Sequence, residues 1–389
     1  MKYWRGYLTA AIFAAVTLGL MQIAARYTAL VDMVYPYMTR TVQNFLAEWT
    51  APLAFPLWQF AVIMGVVLLL TTVVLMIVLK WSFVQWLGWV LASATMVTFL
   101  HTGVYGLNRY AGPLSDDLRM DMAEFTVEDL EDATIYFRDQ ANLLAAQMER
   151  DEESNLVFDS FEELSEQAGT GFQTLVDDHY YSVFAGTTTG VKPLQWQKLY
   201  TALGVTDVFF PLTGEVSVNP QIPVIALPTT MCSGIAQRLS ISNASDADFA
   251  AFLACHANEN MQFQYAAYFM AYRSCLDALV NAGIEEAAAA AARIKTGVNS
   301  YLSHDLKAYD RFFATHRNAK AVDMADSITG VYQSVLRIQP QESGTLAVLL
   351  VNWYIQEQVL PYLDQEEITG FDPMDEEQVD ISEIIGRKR

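Results

Sequence analysis

The chain has 389 residues, of which 53% are hydrophobic, and a formal net charge of −21 at pH 7. Its mean hydropathy of +0.20 is high for a soluble globular protein, and residues 1–110 carry six Lys or Arg but only two Asp or Glu. The remaining residues are therefore strongly acidic. They would be repelled by the phosphates of nucleic acids, which excludes nucleic acid as a partner.

Three long apolar segments occupy the N-terminal part of the chain. They are Tyr7–Ala25, Leu57–Leu79 and Gln85–Leu107, and each is almost free of charged residues. A helix of about 20 residues is long enough to cross the hydrocarbon layer of a bilayer. The sequence therefore predicts a membrane domain over residues 1–110, with one transmembrane helix in each segment and the lipid bilayer as a partner.

The basic residues beside these segments predict the orientation of the chain. Lys2 and Arg5 precede the first segment, and Lys80 lies between the second and the third. Basic residues accumulate on the cytoplasmic side of membrane proteins, so we expect a multi-pass protein of the cell membrane with its N-terminus in the cytoplasm and its C-terminal domain outside. The first segment also fits a secretory signal, but Ala24-Ala25 is a poor cleavage site, and we expect an uncleaved anchor.

The acidic remainder predicts a mainly α domain that contains a small sheet. Apolar residues recur at helical spacing over Thr126–Arg150. Two short β-type runs, Val208–Phe210 and Val216–Val218, lie among prolines and glycines. We expect one extracytoplasmic domain over residues 111–363, followed by an acidic, mobile tail over residues 364–389.

Four motifs in the chain resemble those of one protein family. They lie at Val34–Arg40, Val191–Pro193, Phe209–Asn219 and Asp246–Cys255. Together with the three apolar segments, they resemble the bacterial family labelled domain of unknown function 3810, whose members look like membrane-anchored metallopeptidases. The resemblance implies a zincin-like (α+β) fold for the extracytoplasmic domain, with the metal-binding helix after Pro228.

The metal-binding motif of such peptidases is degenerate in this chain. In gluzincin-type enzymes two histidines one helical turn apart bind zinc, and a glutamate beside the first activates the metal-bound water. The resemblance places the histidines at Ser233 and Gln237 and the glutamate at Gly234. It places a further acidic ligand at Asp246. Because only Asp246 keeps a metal-binding group, we expect no zinc, no other cofactor and no peptidase activity.

Glycine is also less favourable than other residues inside a helix, by about 0.5–1 kcal/mol. We therefore expect the change Gly234→Glu to be tolerated.

A ligand cleft is expected beside the degenerate motif. Zincin-type folds bind substrate along an edge strand, and Val216–Asn219 is our candidate for that strand. The residues of the expected cleft are Glu215, Val216, Ser217, Val218 and Asn219. For Glu215 and Asn219, turn chemistry and local backbone hydrogen bonds are the simpler interpretation.

Three functions are consistent with these features. The first is a membrane protein whose metallopeptidase-like extracytoplasmic domain is catalytically inactive and binds a peptide or an envelope protein. The second is an active zinc metallopeptidase with a rearranged metal site. The third is a structural protein of the cell envelope. The loss of three of the four motif residues favours the first function.

Overall fold

The structure is a computed structural model that describes residues 4–179, 181–188, 190–319 and 345–359. The acidic tail predicted over residues 364–389 lies outside the described residues. In the described ranges the chain is mainly helical and contains a three-stranded sheet, in agreement with the predicted mixture of elements.

Three helices are long and apolar enough to cross a membrane, which confirms the three predicted segments. They are α1 (Arg5–Arg26), α3 (Leu57–Val78) and α4 (Phe83–Val104). α1 and α4 pack closely at Gly6 and Gly88, because a Cβ on Gly6 would lie 2.5 Å from the carbonyl carbon of Gly88. Small residues permit such an approach between helices in lipid. α3 differs, since none of its most hydrophobic 18 residues is buried.

The segment that joins α1 to α3 is also helical. It forms α2 (Thr28–Thr50), and a single residue, Tyr27, separates it from α1. One face of α2 is buried against the rest of the chain. That face carries Thr39, Gln43, Ala47 and Thr50.

The domain after α4 begins with a 3₁₀ turn over Gly106–Tyr110 and continues as a succession of helices. In chain order they are α5 (Leu114–Asp117), α6 (Val127–Ala145), α7 (Phe161–Gln167), α8 (Thr170–His179), α9 (Gln197–Leu203), α10 (Leu227–Arg238), α11 (Ala244–His256), α12 (Met261–Asn281), α13 (Glu285–Thr296), α14 (Ser300–His316) and α15 (Thr345–Tyr354).

The core of this domain is formed around α12, which packs against α6 and α11. Its aromatic residues, including Phe263, Tyr265 and Phe269, are fully buried. Local signals fix the helix ends: α6 starts at a capping box in which Thr126 and Asp129 satisfy each other's backbone amides. Burial of so many apolar side chains is the main stabilising term for a domain of this size.

The sheet contains β1 (Val191–Pro193), β2 (Asp207–Phe210) and β3 (Glu215–Val218). β3 is the central strand, with β1 parallel on one side and β2 antiparallel on the other. The turn between β2 and β3 passes through Gly214, which has a φ of +68° and lies against the backbone of α2, so a side chain there would clash.

The two predicted strands are confirmed, and β1 is an addition. The assignment of Val216–Asn219 to an edge strand is wrong, because both edges of β3 are paired.

Candidate functional site

The central strand holds the N-terminus of the membrane helix α3. The two carboxylate oxygens of Glu215 accept hydrogen bonds from the backbone amides of Leu57 and Trp58, each at 2.9 Å. The ammonium group of Lys192 lies 2.7 Å from the same carboxylate. The first-turn amides of a helix have no partner within the helix and favour an anion. Glu215 therefore joins β3 to the first turn of α3.

The other polar residues of the segment predicted as a cleft also bond within the chain. Ser217 Oγ accepts a hydrogen bond from the indole nitrogen of Trp58 at 3.0 Å. The amide of Asn219 donates to Thr201 Oγ1 at 2.8 Å. The whole of segment 215–219 is buried. Its polar groups therefore serve to attach the sheet to its neighbours and face no open surface.

Three of the four degenerate motif positions lie on α10, which packs across the sheet. Pro228 occupies the first turn of α10, where its missing amide costs no hydrogen bond. Ser233 Oγ donates a hydrogen bond of 2.7 Å to Asp248 Oδ1 on α11. Gly234 lies against β3, since a Cβ at this position would be 2.4 Å from Val216 Cγ1.

The packing of Gly234 contradicts the expectation that Gly234→Glu would be tolerated. Val216 is fully buried and its β-branched side chain has little rotamer freedom, so it cannot readily move aside. Close contact between α10 and β3 outweighs the helix propensity that the sequence argument used.

The fourth motif position, Asp246, faces away from the other three. Residues two apart on a helix differ in direction by about 200°, so Asp246 and Asp248 lie on opposite sides of α11. Asp246 Oδ2 accepts a hydrogen bond from the backbone amide of Leu114 at 3.1 Å. The structure therefore brings Ser233 together with Asp248 and not with Asp246.

Asp246 lines a cavity of about 1490 Å³ between α2 and the turn that joins α10 to α11. Asp32, Arg40, Asn108 and Asp117 line the same cavity. Burial raises the pKa of Asp246, and the charge of Asp117 adds to the rise, although the Leu114 hydrogen bond opposes it. The cavity can hold water or a small polar molecule, but it is separate from the motif positions.

Two of the motif positions and the residues beside them form a surface that we call the motif surface. It consists of Ser233 and Gln237 on α10, Asp207 and Phe209 on β2, and Asp248 on α11. Asp248 is exposed to solvent and Asp207 is half-buried, so two carboxylates line this surface.

The environment of the motif surface disfavours ionisation of both carboxylates. The pKa of Asp248 is raised to about 6, chiefly by the surrounding protein; the Ser233 hydrogen bond opposes the rise and the charge of Asp207 adds to it. Because Asp248 is exposed, water screens part of this effect. Burial also raises the pKa of Asp207, against a hydrogen bond from Thr206. A cation placed between the two carboxylates would relieve their repulsion.

β2 presents an unpaired backbone edge beside these carboxylates. The carbonyl of Thr206 accepts from the amide of Asn219 at 2.7 Å, and the carbonyl of Phe210 accepts from the amide of Gly214 at 3.0 Å. Backbone groups of a strand alternate between its two edges, so those of residues 207 and 209 face away from β3. Within the described ranges no strand pairs with that edge.

The C-terminal end of α4 contacts the motif surface through Tyr105. Its ring packs edge-on against Phe209, with 5.0 Å between the ring centroids. Its hydroxyl donates to the backbone carbonyl of Gln237 at 2.9 Å. The residue that follows α4 therefore touches both β2 and α10.

The donor groups at the motif surface are too few for a zinc site. Zinc takes three or four protein ligands, and here only Asp207 and Asp248 offer carboxylates. No group of three or more His, Cys, Asp or Glu side chains is placed to hold a metal ion in the part of the chain that the structure describes.

The cysteines near the motif are buried thiols. Cys255 Sγ lies 3.5 Å from Cys232 Sγ, and Cys275 is also buried and free. Burial raises the pKa of Cys255 and of Cys275, which disfavours the reactive thiolate. All three side chains are part of the packed core.

Asp207 and Asp248 were not among the site residues predicted from the sequence. A signal for Asp248 was present, because α10 and α11 are joined by a turn of only a few residues. Two helices joined in this way run back along each other, and positions equidistant from the turn meet. Ser233 and Asp248 are such positions. Asp207 gave no comparable signal, since its place depends on the pairing of β2 with β3.

Comparison with known proteins identifies the family of the chain. No curated protein and no solved structure shows significant similarity to the chain. The family described as "Protein of unknown function (DUF3810)" matches residues 31–347, which include most of α2, the membrane helices α3 and α4, the sheet and the motif helix α10. The match covers most of the chain, and the protein therefore belongs to the DUF3810 family.

Proposed function

We propose that the chain is a multi-pass membrane protein whose extracytoplasmic, zincin-like domain binds an extended peptide at the motif surface without cleaving it. The observation that carries the proposal is the unpaired edge of β2 beside α10. In a zincin-like arrangement the substrate lies along such an edge, next to the helix that carries the metal ligands. Here that edge belongs to β2 and not to β3.

Peptide binding at this edge would use the backbone of residues 207 and 209. An extended peptide can add to an exposed strand as a further strand, with main-chain hydrogen bonds for affinity and side-chain contacts for specificity. The carboxylates of Asp207 and Asp248 give the adjoining surface a negative charge. A lysine or arginine side chain of the peptide fits this surface best.

The residues at the motif positions support binding without hydrolysis. Ser233 is engaged by Asp248 at 2.7 Å, Gly234 offers no side chain, and Gln237 has no acidic or basic group. A hydrolase of this type needs a metal-bound water and a base that activates it. A peptide bound at the edge of β2 would therefore stay intact.

The placement of this domain outside the cytoplasm rests on the basic residues Lys2, Arg5 and Lys80. Lys2 and Arg5 lie at the N-terminal end of the first apolar segment, and Lys80 lies in the turn between α3 and α4. The positive-inside tendency orients both places toward the cytoplasm. A reporter that is active only outside the cytoplasm, fused after Arg109, should be active, and activity of a cytoplasmic reporter at that position would reverse the orientation.

A binding experiment tests the proposed function. Two sets of unstructured peptides, identical except for a central lysine or glutamate, are added to the purified full-length chain in detergent. We expect the lysine set to bind more tightly. The double change Asp207→Asn and Asp248→Asn should remove the preference, a loss of at least about tenfold for charge-assisted contacts.

A matched control removes two carboxylates elsewhere. Glu152 and Asp178 are exposed and lie outside the motif surface. Their change to Gln and Asn makes the net charge less negative by the same amount and should leave the preference intact. Equal loss in both double variants would show that only overall charge matters. Cleavage of the peptides would favour the metallopeptidase, and the absence of any binding would favour the structural role.

A further inference from the structure

The helix α2 has two faces of different character. The buried face bonds to the extracytoplasmic domain at several points. Thr39 Oγ1 lies 2.9 Å from Ser240 Oγ, Arg40 Nε donates to the carbonyl of Leu239 at 3.2 Å, and Gln43 Nε2 donates to the carbonyl of Pro211 at 3.1 Å. α2 is therefore attached to the domain along much of its length.

The opposite face of α2 is an apolar stripe. Its residues recur every three or four positions along much of the helix, and all are exposed by two-fifths or more of their surface. They are Leu30, Val34, Met38, Val42, Phe45 and Trp49. So much exposed apolar surface on one helix marks a contact with a partner or with lipid.

The positions of the two ends of α2 indicate whether the stripe contacts a partner protein or lipid. Near its start, the hydroxyl of Tyr35 donates to the carbonyl of Thr102 in the last turn of α4, at 2.8 Å. At its end, the carbonyl of Thr50 accepts from Lys192, which pairs with the glutamate that holds the first turn of α3. Both ends thus lie beside the ends of membrane spans.

The spans at the two ends of α2 reach the same side of the membrane. α1 leads into α2 and α3 leaves it, with short connections, while α3 and α4 are joined at their opposite ends. A helix of 23 residues, about 34 Å long, that connects the same ends of two spans and is tied to the end of a third runs along the membrane surface.

We propose that α2 is an interfacial helix whose apolar stripe lies in the outer face of the lipid bilayer. The stripe continues the lipid contact of α1 and α3, and its aromatic end at Trp49 suits the interface, where amphipathic rings are favoured. The other face of α2 carries the extracytoplasmic domain. Helix α2 therefore fixes the height of the domain above the lipid.

A consequence for the motif surface follows from this arrangement. α2 bonds to the residues directly after α10 and to the turn between β2 and β3. The motif surface is thereby held close to the bilayer, within reach of chains that are themselves attached to the membrane.

Spin labels on single introduced cysteines test the position of α2. The full-length chain is reconstituted in lipid nanodiscs, with Met38→Cys on the stripe, Met64→Cys on α3 and Leu143→Cys on α6. The three parent residues are similarly exposed, at 58%, 58% and 59%. The native cysteines are buried, and the unsubstituted chain treated with the same label gives the background. Accessibility to oxygen, which enters lipid, is compared with accessibility to a water-soluble nickel complex.

We expect the ratio of oxygen to nickel accessibility at Met38→Cys to be closer to that at Met64→Cys than to that at Leu143→Cys, and the same at Phe45→Cys. A ratio close to that of Leu143→Cys would place the stripe in water and overturn the proposal. Low accessibility to both reagents would show that protein covers the stripe and would overturn it equally.

Discussion

Lys192 and Glu215 form a buried ion pair, with 2.7 Å between Nζ and Oε1, directly beneath the first turn of α3. The lysine also donates a hydrogen bond to the carbonyl of Thr50 at 2.7 Å, and the glutamate accepts hydrogen bonds from two backbone amides of α3. One ion pair therefore connects the sheet to the end of α2 and the start of α3.

We predict that Glu215→Ala destabilises the chain by about 3–5 kcal/mol, because it leaves the ammonium of Lys192 buried without its partner. The first turn of α3 loses its anion as well. Thermal unfolding of the full-length chain in detergent measures the change. Replacing both residues by hydrophobic ones, in Lys192→Met with Glu215→Leu, should restore part of the loss.

The pair of Arg293 and Glu131 provides the control for this experiment. Its arginine is 61% exposed, and exposed ion pairs contribute about 0–1 kcal/mol. Glu131→Gln should therefore lower stability only slightly. An equal loss in Glu131→Gln and Glu215→Ala would contradict the role assigned to the buried pair.

A second prediction concerns the contact between α10 and β3. Gly234→Ala should destabilise the chain by about 1–3 kcal/mol, because the new methyl group overlaps Val216 in a packed core. Val216→Ala in the same chain should recover part of this loss by making room. Gly65→Ala, on a helix position with no atom within 4 Å of the added Cβ, is the control. Higher stability of Gly234→Ala than of the parent would contradict the close packing.

A third prediction concerns pH. The pKa of Asp248 is raised from 3.8 to about 6 in the folded chain, so the folded chain binds this proton more tightly than the unfolded chain. The contribution of Asp248 to the free energy of unfolding therefore falls as the pH rises from 3.8 to about 6. Above that range the contribution stays at its lower value.

We expect Asp248→Asn to be more stable than the parent near neutral pH, with a difference that shrinks in acid. Asparagine can still accept the hydrogen bond of Ser233. Ser233→Ala removes the hydrogen bond that lowers the pKa of Asp248, so this pKa should be higher in the variant than in the parent. The stability of the variant should therefore continue to fall with rising pH beyond the range in which the parent changes. Unfolding curves across the pH range measure both effects, and parallel curves for parent and Asp248→Asn would contradict them.

A fourth prediction uses metal binding to identify the acidic residue that faces the motif. Ser233→His with Gln237→His places two imidazoles one turn apart on α10, beside Asp248. These three groups suffice for a zinc site, so the variant should hold about one zinc per chain after dialysis. Asp248→Asn should abolish this binding, whereas Asp246→Asn should not. Elemental analysis gives the zinc content. If Asp246→Asn abolished zinc binding and Asp248→Asn did not, Asp246 would be the acidic ligand, as the family resemblance implied.

The sequence predicted those features that depend on local pattern. The apolar segments gave the three spans because length and lack of charge are sufficient signals. The strands at 208–210 and 216–218 were found from their residue types. The position of β3 in the centre of the sheet was not found, since it depends on pairing with β1, a three-residue strand that leaves almost no pattern.

The site was harder to predict than the fold because it depends on distant contacts. For Glu215 the sequence favoured local turn chemistry, but its partners Leu57 and Trp58 lie more than 150 positions away. The resemblance predicted Asp246 and not Asp248 as the acidic residue beside the motif, because it aligns positions along the chain and contains no information on the direction of each side chain. Helix α2 was not predicted, because the apolar residues of its stripe alternate along the sequence with polar residues of its buried face.

Hydrogen exchange measured by mass spectrometry, with and without a lysine-containing extended peptide, shows whether a peptide adds to the edge of β2 and stays intact there. Protein and peptide masses are followed in the same sample. We expect the backbone amides of Asp207 and Phe209 to become protected when the peptide is added. The amides of Val208 and Phe210 should change little, and the peptide mass should stay unchanged. Protection elsewhere with β2 unaffected, or a peptide shortened by cleavage, would contradict the proposed function.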